Sequence, residues 1–359
     1  MKRWICLLFL LLALTVDVRA EELPRSLTDA LPEAAEDILD IDSLSGPEGF
    51  SRGLAGIAER LAGEVKSVLR QRVRGAASIL LVAVACGAVD GFAKGTGEGK
   101  AAAYLPMAGA LAVTLLTAGS LEDLIGLGVE TIGELNLFSK VLLPTLAAAT
   151  AASGAVSSAT FQQVTTVFLA DLLMELIDGL LLPLVYLYIG ALAASSCLPE
   201  NRLGAIAEAL KKIITWILTS SLLLFTVYLS TVRVVAGAAD GASVKVAKAA
   251  ISGVVPVVGG IIAEAAETVL AGAGMLKNTI GVFGMLAILA ACAYPFLQLG
   301  VQYLLYKLSA FLAAAAGAPE LRELIDGLGG AFGLVLGMTG SCALLLLVSV
   351  LSSIAAVTP

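Results

Sequence analysis

The sequence contains no histidine. That excludes Ser-His-Asp and Cys-His nucleophile pairs, histidine-ligated haem or zinc, and the H-E-x-x-H metalloprotease site. Charge is scarce as well. Only 14% of the residues are charged and 58% are hydrophobic, where an ordinary soluble domain carries about 25% charge. Mean hydropathy is +0.95. So few charges cannot cover a water-facing surface, so lipid is the solvent for most of the chain. The apolar runs are unbroken and longer than the alternating segments of about ten residues in a membrane β-barrel. The expected fold class is therefore all-α, a polytopic helical membrane protein with about six to eight spans after a cleaved signal peptide. No C-x-x-C is present. Cys6 lies in the leader, and Cys86, Cys197, Cys292 and Cys342 are far apart, mostly inside apolar runs. They read as small buried hydrophobes, with neither a disulfide framework nor a metal site.

Three regions follow from the charge pattern. Residues 1–20 open Met1-Lys2-Arg3, run apolar from Trp4 to Val16, and end Val18-Arg19-Ala20. That is the order of a secretory signal peptide, with an uncleaved anchor as the alternative. Residues 21–75 form an exported acidic arm and a basic amphipathic helix. Segment 21–48 has nine acidic residues against Arg25, a net −8 that exceeds the whole-chain −7. It reads either as a solvated arm or as a segment that folds on a partner. Phe50, Leu54, Ile57, Leu61, Val65 and Leu69 then recur at helical spacing among Arg52, Arg60, Lys66, Arg70, Arg72 and Arg74. The leader places this helix outside, and the positive-inside rule argues for the opposite side.

Residues 76–359 are the multi-span membrane domain. Spans are expected near 76–92, 101–118, 141–160, 179–197, 213–231 and 329–357, with one or two more in 279–317. Residues 119–139, with Glu122, Asp123, Glu130 and Glu134, read as interfacial. The run Lys94 to Lys100 imitates a nucleotide loop but fails it. A P-loop needs G-x-x-x-x-G-K-[ST]; here Lys94 stands where the first glycine belongs and Ala101 where the hydroxyl does. No cofactor is expected, and nothing reads as a nucleic-acid site.

Four features could carry function. Asp171, Glu175 and Asp178 share one helical face and form a candidate polar intramembrane group, either binding cations or marking an interface. Glu264 and Glu267 are a second acidic pair in a small-residue helix. Gly329, Gly333, Gly337 and Ser341 repeat every four residues, and 147–160 is almost wholly small. Both let helices approach closely, within the chain or between copies as a homo-oligomer, or line a conduit. Pro256, Gly259 and Gly260 interrupt an apolar stretch, as a re-entrant break or as a loop before a helix.

Two stretches resemble the stage III sporulation protein AE family of endospore-forming bacteria. One is Leu142-Leu143-Pro144-Thr145-Leu146 with its small run to Phe161, and the other is Ile251 to Gly281. The leader, the acidic arm and the order of apolar runs match too. The resemblance implies a non-enzymatic multi-pass subunit of a mother-cell assembly in the outer forespore membrane. That assembly is a secretion or feeding channel between mother cell and forespore. The implied partners are the lipid bilayer, the other membrane subunits and a separate secretion-type ATPase. The alternative is a secondary transporter with an intramembrane acidic site, and an intramembrane enzyme is the third reading.

Overall fold

The computed structural model describes residues 24–36, 49–96, 105–152, 157–197, 203–228 and 259–355, and every regular element among them is helical. Two short helices come first, α1 (Arg25–Thr28) and α2 (Glu33–Glu36). The long elements are α3 (Gly49–Thr96), α4 (Leu105–Ala152), α5 (Ser157–Leu176), α6 (Leu182–Cys197), α7 (Leu203–Tyr228), α8 (Gly259–Ala315) and α9 (Pro319–Ala355). A π-helical segment, Ile177–Leu181, joins α5 to α6. Among the described residues six helical stretches are long and apolar enough to cross a membrane. The chain is an all-α polytopic membrane protein.

The antiparallel α8–α9 hairpin is the centre. α8 ends because Gly317 takes φ +84°, a left-handed turn that a side chain would resist. Gly317 N–H then donates to Ala314 O and Ala318 N–H to Ala313 O at 3.2 and 3.1 Å. This Schellman arrangement satisfies carbonyls that the helix end leaves open, and Pro319 starts α9 where no amide donor is needed. Tyr306 and Phe332 meet edge to face across the hairpin, ring centroids 5.1 Å apart. Helices α3 and α4 pack on α8, and α4 and α6 pack on α9.

The sequence pattern suggests two spans flanking an interfacial 119–139, whereas α4 is one continuous helix of 48 residues. The reason is its two faces. Leu121, Leu124, Ile125, Gly128, Ile132 and Leu135 are buried at three- and four-residue steps, while Glu122, Asp123 and Glu130 are exposed. The acids break the hydropathy without breaking the helix. The basic helix and the first span likewise form a single element, α3. Part of the acidic arm takes neither expected form. Leu27 and Ala35 are fully buried, Leu31 packs beside them, and α1 and α2 lie against α4 and α8. These three apolar residues turn toward the chain's own bundle.

Candidate functional site

Gln298, Gln302 and Tyr306 stand at i, i+4 and i+8 on α8, so one face of this apolar helix carries a polar line. All three are at least 94% buried. At one end the Arg72 guanidinium of α3 donates to Gln298 Oε1, through Nε at 3.2 Å and also through Nη2. At the other end the Tyr306 hydroxyl donates to Thr117 Oγ1 of α4 at 3.2 Å. Gln302 lies between them, with its Oε1 buried and without a hydrogen-bond partner. The line thus ties α3, α8 and α4 together through groups that lipid cannot satisfy. Interhelical hydrogen bonds of this kind contribute about 0.6 kcal/mol each on average. These five residues offer amides, hydroxyls and one permanent cation, which suit holding helices in register and accepting polar guests. None of the five is a nucleophile beside a base.

A second polar cluster links α8 and α9 between two and three turns from Gly317. Lys307 Nζ pairs with Asp326 Oδ1 at 2.6 Å and lies 5.8 Å from the centroid of the Tyr303 ring. On the other side of α9 the buried Tyr188 hydroxyl of α6 donates to Gly327 O at 2.8 Å.

The residues singled out in the sequence are distributed as follows. Asp171 is half-buried on α5, and its Oδ1 is sealed without a hydrogen-bond partner. Glu175 is exposed, and Asp178 is half-buried on the π-helical segment. Such segments are frequent at functional sites. Gly329 and Gly333 face α8, where added Cβ atoms would stand 3.0 Å from Tyr306 Cβ and 2.9 Å from the Tyr303 ring. Gly337 turns instead toward α7, with Leu218 at 3.8 Å, and Ser341 Oγ donates to Gly337 O at 2.7 Å. The four-residue repeat therefore serves two neighbours. Gly259 and Gly260 open α8. Pro256 and the Glu264 and Glu267 side chains lie outside the described residues. Cys292 and Cys342 are buried and free, and Cys86 is half-buried and free. Among the described residues no group of three or more Cys, Asp or Glu is placed to hold a metal ion.

The Gln298–Gln302–Tyr306 line escapes a reading based on charge. Its signal was a polar period of four inside an otherwise apolar run, but Arg72 is 226 positions away and no local pattern pairs it with Gln298.

A family model described as stage III sporulation protein AE matches residues 45–357. A similar protein is the stage III sporulation protein AE of Bacillus subtilis (strain 168), 26% identical over 216 residues. That match covers 60% of this chain and 54% of the relative, so the chain spans about half the relative's length. No solved structure matches.

Proposed function

The chain belongs to the stage III sporulation protein AE family, and on that premise we propose that it is a non-enzymatic membrane subunit of a sporulation-specific channel between mother cell and forespore. In this reading it resides in the outer forespore membrane. It works with the other membrane subunits of the assembly and draws energy from a separate secretion-type ATPase. The observation that supports this best is helix length. α3 and α4 have 48 residues each. At 1.5 Å per residue each is about 72 Å long, against a hydrocarbon core of about 30 Å. Such helices continue well past the bilayer, as a transenvelope assembly requires and a simple membrane anchor does not. The buried polar line then serves as the rivet that holds these long helices to the hairpin.

Clean deletion of the gene in the sporulating host tests the reading. Spore formation should stop after engulfment while vegetative growth is unchanged, and normal numbers of heat-resistant spores would overturn it. The second reading, a secondary transporter, rests on the buried, unpartnered Asp171 Oδ1 beside a π-helical segment. Saturable uptake of a small solute by the purified protein in liposomes, abolished by Asp171→Asn, would favour it.

A further inference from the structure

A shallow, open groove runs along one exposed face of α3, lined by Gly63, Lys66, Ser67, Arg70, Gln71 and Arg74. Three of its six lining residues are cations, spaced four residues apart on one stripe. Gly63 faces open space. The nearest acid in sequence, Glu64, accepts a hydrogen bond from Ser67 Oγ at 2.9 Å at one end of the groove, so three cations stand against one carboxylate. We propose that this groove binds the phosphate headgroup of an anionic phospholipid.

Three observations select lipid over other anions. First, the site lies at the right depth. The apolar part of α3 begins at Ala76, so Arg74, Arg70 and Lys66 stand about 3, 9 and 15 Å beyond it along the axis. The headgroup zone is about 5–8 Å thick on each side. Arg74 is level with it, and the long Arg70 and Lys66 side chains can reach back toward it. Second, each cation follows an exposed apolar residue. Val65, Leu69 and Val73 are 41%, 44% and 41% exposed. On the bilayer side of Arg74 the exposed Leu81 and Val84 continue this apolar surface, which an acyl chain would use and soluble phosphate or an acidic peptide would not. Third, the charge is complementary, since a phosphodiester meets Arg70 and Arg74 at the end of the groove away from Glu64. The site is independent of the channel reading.

Native mass spectrometry of the full-length protein, taken from mixed phosphatidylglycerol and phosphatidylcholine, tests the proposal. The wild type should retain phosphatidylglycerol selectively, and less of it in about 0.5 M salt. The triple variant Lys66→Gln, Arg70→Gln, Arg74→Gln should lose about tenfold or more of that selectivity, with Arg322→Gln as the unaffected control. Unchanged selectivity in the triple variant overturns the proposal. Equal displacement by inorganic phosphate would make the groove a free-anion site and also overturns it. Should the triple variant fail to fold, the three single variants take its place. Each is expected to lose part of the selectivity, and no loss in any of them overturns the proposal.

Discussion

The α8–α9 hairpin and helix α3 are both long and apolar, yet they use their apolar surface in opposite ways. In the hairpin 67% and 61% of the most apolar stretches are buried inside the protein, against 17% in α3. Apolarity does not separate them. In lipid there is no hydrophobic force drawing one apolar helix to another, so small and polar residues decide which helix goes inside. The hairpin has Gly284 and Gly340, where added Cβ atoms would stand 2.7 Å from Leu142 and 2.9 Å from Phe296. It also buries Gln298, Gln302, Thr339, Ser341 and Ser349. The span of α3 instead turns Leu81, Val84, Val89 and Phe92 outward.

The largest contrast should come from phenylalanines. Phe332 is fully buried against Tyr306, and Phe92 is 78% exposed. Phe332→Ala should cost about 3–5 kcal/mol, the range for emptying a packed aromatic site. Phe92→Ala should stay within about 0.5 kcal/mol. Unfolding of the purified protein in one fixed detergent measures both, and equal losses would erase the distinction between the two regions.

Much of this division was legible in sequence, though not its geometry. The all-helical membrane class followed from the missing charge. The spacing of Asp171, Glu175 and Asp178 suggests one shared α-helical face, and the π-helical turn under Asp178 could not be read from it, because no side-chain period announces it. The single helix α4 was hidden because hydropathy averages over both faces, so the exposed acids Glu122, Asp123 and Glu130 looked like an interruption. The Arg72–Gln298 bond depends on how α3 docks onto α8, which is a property of the packed bundle and of no local stretch.

Glycines on α3 itself sharpen the comparison next. An added Cβ on Gly87 would run into the Ala316 backbone carbonyl at the hairpin turn, whereas Gly91, one turn on, meets nothing within 4 Å. Backbone cannot yield as a side chain end can. Gly87→Ala should therefore destabilise by about 1–3 kcal/mol. Gly91→Ala should stabilise by about 0.5–1 kcal/mol through helix propensity. If both stabilise, α3 does not touch the hairpin turn at Gly87.

The polar line predicts a smaller and more specific effect. Arg72→Met removes the donor and leaves Gln298 Oε1 buried and unpaired, at a cost of about 1–2 kcal/mol. Adding Gln298→Leu should recover most of that, since an apolar pair leaves nothing unsatisfied. A double-mutant cycle reads the coupling, and additive losses would show that Arg72 contributes through packing alone.

The smallest effect is expected at the mouth of the hairpin, and it locates the edge of the buried region. Lys307 and Asp326 pair at 2.6 Å with side chains 32% and 45% exposed. Exposed Glu320, Arg322 and Glu323 stand nearby on α9. With water around it, an ion pair of this exposure contributes at most about 1 kcal/mol and is screened by salt. Asp326→Asn keeps the shape and removes the charge. Its cost should be under about 1 kcal/mol at low salt and should vanish near 1 M. A loss above about 2 kcal/mol that ignores salt would mean that lipid surrounds the pair. The hairpin mouth would then belong to the interior, with the line Gln298–Gln302–Tyr306, and the boundary between the two regions would move beyond Gly317.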